Sequence, residues 1–147
     1  MKEISFKLNP DYIRPVIRLY GLDALIDTGA KFPVTTISKE ILVNNFNAKC
    51  IVPETQINGF GGNCTGAVYE LESFHVGDLI FPKMTIFQTD EDIGFPLILS
   101  AGMFDGLDVV LSFNQKTILF QVPDNQLVRN QHVKDSDGNV WILNASK

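Results

Sequence analysis

Short apolar runs, separated by residues that favour turns, recur along the 147-residue chain. Ile4, Phe6 and Leu8 alternate with polar residues, which is the period of a strand with one buried face. Further runs of this kind are VIRLY, DALID, AVYELESFHV, PLILS, LDVVLSF and TILFQV. Glycine, proline and asparagine residues stand between many of them and interrupt the strands. We therefore predict an all-β domain, closed or sandwiched, with one or two short helices.

Local signals add finer predictions to this pattern. Gly21 and Leu22 lie between VIRLY and DALID, and we expect them to form the corner of a β-hairpin. Ser38 is a candidate N-cap for a helix over KEILVNNF, and Glu40 suits the positive end of that helix. A last hairpin is expected around residues 136–139, directly before VWIL. One helix is thus expected among the strands.

The size and charge of the chain restrict its class. A chain of 147 residues is enough for one domain, 1–147, that buries a core without disulfides or metals. The net charge of −5 offers no basic stripe for nucleic acid, and the Lys and Arg residues are too scattered to bind an anionic membrane. The N-terminus MKEISFKLNP lacks the apolar core of a signal peptide, and no run reaches transmembrane length. The cytoplasm is therefore the expected location.

The cysteines and histidines do not form a recognisable metal site. Cys50 and Cys64 have neither metal-like nor CxxC spacing, so free thiols are the expected state, with one disulfide as the alternative. His75 and His132 are too isolated in the sequence to suggest a metal-binding pair. We predict neither a metal ion nor a cofactor.

The hexapeptide LIDTGA, residues 25–30, places one carboxylate between an apolar run and a glycine. Asp27 would lie where a buried strand leaves the core, and Gly29 would permit a tight turn beyond it. A carboxylate that is partly desolvated and close to backbone N–H groups can act as a catalytic acid or base. A turn residue whose oxygens accept bonds from the next two amides would show the same sequence. The hexapeptide by itself leaves both interpretations open.

The stretch GFGGNC, residues 59–64, is the second candidate for function. A dinucleotide-binding loop would need a third glycine where Cys64 stands, and a phosphate-binding loop would end in Gly-Lys-Ser/Thr. Strand-like residues flank the stretch on both sides, which favours the tip of a β-hairpin. Such a tip is either a plain surface turn or a lid that closes over a substrate and excludes water.

Three segments resemble, in order, the parts of a known enzyme family. ALIDTGAKFPVTTIS is similar to the active-site loop of the retropepsin-like (retroviral-type, single-lobe) aspartic proteases, and TQINGFGGNCTGAVYEL resembles their flap hairpin. PLILSAGMFDGLDVVLSFNQKTILF is similar to their second hallmark: an apolar pair and a small residue, a short helix, then a two-strand hairpin. The resemblance covers about residues 4–122. Three agreeing segments are much harder to obtain by chance than one tetrapeptide.

The resemblance implies a single acid-protease lobe with a flap and a catalytic Asp27. The other site residues that it implies are Thr28, Gly29 and Ala30 in the active-site loop, Gly59, Phe60, Gly61 and Gly62 in the flap, and Ile98, Leu99 and Ser100 in the packing beneath the site. Because the chain contains a single Asp-Thr-Gly, the resemblance also implies a homodimer with one Asp27 from each subunit, linked by Thr28. The two carboxyl groups would share a proton and activate a water for hydrolysis of a peptide or protein substrate.

Two positions depart from the pattern of this family. Ser100 stands where the family usually has glycine after the apolar pair, and Lys31 stands where a shorter polar residue is usual. A cation at Lys31 would hold the aspartates ionised or select acidic substrates. The segment 123–147 lies outside the resemblance and is expected to add a hairpin of its own or a strand of the dimer sheet.

Two other functions compete with the protease interpretation. The first is a module of the same fold that binds peptides in its groove without cleaving them, which the residues at Ser100 and Lys31 would allow. The second is a structural β domain in which Asp-Thr-Gly-Ala is an ordinary turn. That interpretation leaves the agreement of three segments unexplained.

Overall fold

The computed structural model describes residues 2–30, 32–59, 62–81, 83–104, 107–122, 131–134 and 140–143. Within these ranges the chain forms fourteen strands, one α-helix and one short 3₁₀ helix. The strands are β1 (Lys2–Lys7), β2 (Val16–Leu19), β3 (Leu22–Asp27), β4 (Val34–Thr35), β5 (Lys49–Gly59), β6 (Gly62–Leu71), β7 (Phe74–Val76), β8 (Leu79–Phe81), β9 (Met84–Gln88), β10 (Leu97–Ser100), β11 (Asp108–Ser112), β12 (Thr117–Val122), β13 (Gln131–Lys134) and β14 (Val140–Leu143). The α-helix is α1 (Lys39–Phe46), and the 3₁₀ helix covers Ala101–Phe104.

The strands form four sheets. A seven-stranded sheet has the order β2-β3-β10-β4-β9-β6-β5, and a three-stranded sheet has the order β1-β12-β11. The pairs β7–β8 and β13–β14 form two small sheets. The prediction of an all-β protein is confirmed. Among the described residues none of these sheets closes on itself, so the closed alternative is wrong for this part of the chain.

The core consists of two apolar clusters that use opposite faces of the seven-stranded sheet. The larger cluster joins Ala24 and Leu97 of this sheet with Phe120 of the three-stranded sheet, so the two sheets pack together. Because successive side chains of a strand point to opposite faces, Leu25 and Ile98 fall on the other face and belong to the smaller cluster. The apolar runs DALID and PLILS therefore supply side chains to both cores.

The predicted hairpin between the second and third strands is present, with its turn one residue earlier. Leu19 pairs with Leu22, so the turn residues are Tyr20 and Gly21 rather than Gly21 and Leu22. Their φ angles of 52° and 74° are both positive, as a two-residue type I′ turn requires. Tyr20 is an unusual residue for this conformation. Its hydroxyl accepts a hydrogen bond from the backbone N–H of His75 at 2.7 Å, which ties the turn to β7.

The predicted helix is also present and begins as expected. Ser38 precedes α1 as its N-cap, and its Oγ accepts a hydrogen bond from the backbone N–H of Ile41 at 3.3 Å. Such a cap contributes about 1 kcal/mol to stability. The helix ends at Phe46, and its C-cap Asn47 has a φ of 49°, in the left-handed region in which helices commonly terminate.

The hairpin expected near the C-terminus is formed by β13 and β14, which pair in antiparallel fashion. The residues predicted for its turn, 136–139, lie outside the described residues. The second hallmark of the resemblance also has the expected elements, since β10 is followed by the 3₁₀ helix and then by the paired strands β11 and β12. In the described part of the chain, no helix has the length and apolar character needed to cross a bilayer.

Candidate functional site

The Asp-Thr-Gly loop and the segment Ile98-Leu99-Ser100 meet within the seven-stranded sheet. The chain leaves β3 at Asp27 and enters β4 at Val34. β10 lies between these two strands, parallel to β3 and antiparallel to β4. The connection from β3 to β4 must therefore pass around the carboxyl end of β10, which is Ser100. This strand order brings the Asp-Thr-Gly loop and the end of Ile98-Leu99-Ser100 together.

The register of β3 and β10 places individual side chains on defined faces. Leu25 pairs with Ile98, and Asp27 pairs with Ser100. Neighbours in such a ladder share a face, and residues two apart in a strand share a face as well. Asp27 and Ser100 therefore lie side by side on the face of the smaller apolar cluster.

The smaller cluster forms a continuous apolar row across this face. The cross-strand pairs are Val16 with Leu25, Leu25 with Ile98, Ile98 with Val34, Val34 with Phe87, and Phe87 with Val68. Ile57 of β5 and Cys64 of β6 are paired with each other and pack into the same cluster. The hairpin of β5 and β6 thus contributes two side chains to the apolar cluster on the face that carries Asp27.

Among the described residues, the carboxylate of Asp27 makes two polar contacts. Its Oδ1 accepts a hydrogen bond from the backbone N–H of Gly29 at 2.9 Å. Its Oδ2 lies 3.9 Å from Nη2 of Arg14, and the aspartate side chain remains 28% exposed. The carboxylate is therefore both a turn acceptor and a group that a ligand can reach, so the two interpretations of LIDTGA are compatible in this geometry.

The rest of the predicted loop lies at the surface. Thr28 and Gly29 are exposed, and Ala30 is partly buried against the smaller cluster. Gly29 does not have the positive φ that would demand glycine. A Cβ atom at this position would instead lie 3.4 Å from Oδ1 of Asp27, so the glycine leaves room beside the carboxylate. Lys31 lies outside the described residues.

The predicted flap is a long hairpin. β5 and β6 pair in antiparallel fashion up to Gly59 and Gly62, which face each other. Phe60 and Gly61, which the sequence placed at the tip, lie outside the described residues. Beneath the site, Ile98, Leu99 and Ser100 are all buried, as the packing role requires.

Arg14 is a site residue that the sequence analysis missed. It contacts Asp27 as described above, and its guanidinium carbon lies 5.9 Å from the centroid of the Phe95 ring. The register of the hairpin contains the signal that would have identified it. With the turn at Tyr20 and Gly21, continuing the ladder beyond the pair of Val16 and Leu25 places Arg14 opposite Asp27. A turn shifted by one residue hides this pairing.

The two cysteines differ in environment, and both are free thiols, as predicted. Cys50 is exposed, whereas Cys64 of β6 is buried in the smaller cluster and donates a hydrogen bond from Sγ to Oγ1 of Thr89 at 3.3 Å. Burial is the main cause that raises the pKa of the Cys64 thiol above its ordinary value. The charge of Glu91 acts in the same direction, and the hydrogen bond with Thr89 opposes it.

This difference predicts the thiol chemistry of the native protein. A raised pKa lowers the thiolate fraction at pH 8, and burial blocks the reagent, so Cys64 should react at least about tenfold more slowly than an exposed thiol. With a chromogenic disulfide reagent we expect one fast thiol in the native chain and two in urea. Cys50→Ser should remove the fast phase. Two fast thiols in the native chain would show that the hairpin does not cover Cys64.

A cavity of about 740 Å³ lies away from Asp27, at the opposite end of β3. Its lining combines the rings of Tyr20 and Phe46 with the polar side chains of Glu72 and His75. None of the residues predicted for the site contributes to it. Among the described residues, no group of three or more His, Cys, Asp or Glu side chains is placed to hold a metal ion.

We found no match to the chain among models of protein families, curated proteins or solved structures.

Proposed function

We propose that the chain is an aspartic endopeptidase of the retropepsin-like type that acts as a homodimer. One observation carries the proposal: β10 is inserted between β3 and β4, so that Asp27 lies in register beside the end of Ile98-Leu99-Ser100, on the face whose apolar cluster also includes Ile57 and Cys64 of the long hairpin. An ordinary turn aspartate needs only the hydrogen bond to Gly29. The strand order and the hairpin are additional features that such a role does not require.

The proposed chemistry needs a second carboxylate. The chain contains a single Asp-Thr-Gly, so a second subunit supplies the other Asp27 across a two-fold axis. Two carboxyl groups in contact share one proton. The ionised one takes a proton from a bound water, and the protonated one donates to the carbonyl oxygen of the scissile peptide bond. Thr28 is exposed beside Asp27, where it can contact the partner's loop.

The proposed substrate is an extended peptide. The paired strands of the β5–β6 hairpin end at Gly59 opposite Gly62, two residues that have no side chain. Such an end can pair with the main chain of a bound peptide as an added strand does. In the proposed mechanism the hairpin closes over the bound peptide, and the exclusion of water strengthens the electrostatic interactions of the reaction.

The ion pair with Arg14 favours a second candidate function, a module that binds peptides without cleaving them. A guanidinium stabilises an ionised carboxylate, whereas the proposed mechanism uses one protonated carboxyl group. In an active dimer the contact of 3.9 Å between Arg14 and Asp27 must therefore open. The Arg14 side chain is 60% exposed, which leaves it room to move away.

A single experiment separates these functions. The purified chain is incubated with a mixture of unstructured peptides between about pH 3 and pH 7, the range in which carboxyl groups titrate. Cleavage is followed by mass spectrometry, and the molecular mass is measured by sedimentation equilibrium. We expect cleavage by a dimer. Peptide affinity without turnover would support the binding module, and a chain that stays monomeric with and without peptide would exclude a shared site.

A further inference from the structure

Ser100 has an unusual environment for a polar side chain. The residue is completely buried, with 0% of its surface exposed. Among the described residues, its Oγ is the buried side-chain atom without a hydrogen-bond partner. A buried hydroxyl without a partner destabilises a fold, because it loses its bonds to water and gains none in return. Such a group in a native structure calls for an explanation.

The position of this hydroxyl relates it to the carboxylate of Asp27. Ser100 is the register partner of Asp27, and both side chains lie on the face of the smaller cluster. Neighbouring strands are about 4.8 Å apart, so a serine hydroxyl can reach the carboxylate of its neighbour through a change of rotamer. In the single chain the carboxylate instead contacts Gly29 and Arg14.

Few other ionisable groups face Asp27. Neither 32–36, around β4, nor 96–104, around β10, contains an ionisable side chain, and the hairpin residues 55–66 contain only the thiol of Cys64. From the segment before β2, Arg14 contacts the carboxylate. The first charged residue after Asp27 in the chain, Lys31, lies outside the described residues. Removal of the Ser100 hydroxyl would therefore affect the Asp27 carboxylate with few other charges nearby to mask the effect.

We propose that Ser100 is a positioning residue whose Oγ donates a hydrogen bond to the Asp27 carboxylate once Arg14 withdraws from it. The inference rests on the proposed function, because the withdrawal belongs to assembly of the shared site. It also gives the departure from the family's glycine a role. Glycine has no side-chain donor. The serine hydroxyl is a neutral donor that takes the place of the guanidinium and leaves the carboxylate free to share a proton.

The hydrogen bond has a defined effect on pH dependence. A donor stabilises the ionised form of a carboxyl group, so the doubly protonated pair forms only at lower pH when Ser100 is present. Removal of the hydroxyl should therefore move the acidic limb of kcat/KM to higher pH. Bonds to charged groups are strong enough that the expected shift is about one pH unit.

The test compares Ser100→Ala and Ser100→Gly with Thr35→Val. Thr35 is also a buried hydroxyl in the same sheet, and its Oγ1 donates to the carbonyl oxygen of Pro96 at 2.8 Å. We expect the acidic limb to move in both Ser100 variants and to stay in place in Thr35→Val. An unmoved limb in the Ser100 variants would overturn the proposal. A loss of dimer affinity without a moved limb would also overturn it, because the hydroxyl would then be a subunit contact.

A second readout does not depend on turnover. In an Arg14→Gln background the guanidinium is absent, so the carboxylate is released without a partner subunit. The Asp27 carboxyl carbon, labelled with ¹³C, is then titrated by NMR with and without Ser100→Ala. We expect the midpoint to lie about one pH unit higher without the hydroxyl. Equal midpoints would refute the inference. If the wild type cleaves no peptide and the two midpoints still differ, the proposed function is wrong but the hydrogen bond between Ser100 and Asp27 is supported.

Discussion

Replacing Asp27 with asparagine is expected to reduce kcat/KM for peptide cleavage by at least about 10²- to 10⁴-fold, the range that general acid–base groups contribute. The amide keeps an oxygen that can accept the hydrogen bond from Gly29, so the turn should survive. It cannot, however, take a proton from water or share one with its partner. The loss should therefore appear in catalysis, while the unfolding midpoint and the sedimentation of the proposed dimer change little.

The chain offers a matched control for this substitution. Asp92 forms the same local contact, since its Oδ1 accepts a hydrogen bond from the backbone N–H of Gly94 at 2.9 Å, the distance found between Gly29 and Asp27. Asp92→Asn should leave cleavage unchanged. If both variants cleave as well as the wild type, Asp27 is only a turn residue. If both lose activity together with stability, the turn rather than the carboxylate is responsible.

The substitution Gly66→Ala is expected to destabilise the fold by about 3 kcal/mol or more, at the upper end of what forced overpacking causes. A Cβ atom at Gly66 would lie 2.0 Å from the carbonyl oxygen of Gln88 and 2.7 Å from Cζ of Phe87. The oxygen belongs to the backbone of β9, which pairs with β6 at this point, and cannot move without disturbing the sheet. Urea unfolding should therefore show a large fall in midpoint.

Gly62 provides the comparison, because it lies in the same strand near the end of the hairpin. A Cβ atom there would meet no described residue within 4 Å, and the backbone does not have a positive φ. Gly62→Ala should change the free energy of unfolding by less than about 1 kcal/mol. Equal destabilisation by the two variants would contradict the packing explanation. The pair distinguishes a glycine required by close packing from one that leaves the tip of the hairpin unencumbered.

The successful predictions from sequence concern features that contiguous residues determine. Ser38 caps α1 because its hydroxyl reaches an N–H three residues later, and that contact depends on no distant part of the chain. The alternation of Ile4 and Phe6 likewise records which face of a strand is buried. These local rules identified the strands around Asp27, the long hairpin and the helix α1.

The predictions that failed depended on register or on strand order. A turn placed one residue too late would pair Asp27 with Val16, and this error concealed Arg14. Gly66 lies in the segment that resembles the flap, and the sequence does not show the close approach of β9 that makes it important. Ser100 was treated as a small packing residue, and its unpartnered hydroxyl becomes apparent only when β10 is known to lie beside β3.

The amino-acid sequence alone therefore determined the all-β class, the α-helix after Ser38, the single Asp-Thr-Gly and the glycine-rich end of the hairpin. These follow from periodicity, capping and composition, which are properties of neighbouring residues. Only the tertiary structure decided what surrounds Asp27. The insertion of β10 between β3 and β4 is set by the packing of both sheet faces against two separate cores, and no local pattern specifies it. That insertion places Ser100 beside the carboxylate, and the β2–β3 register places Arg14 opposite it.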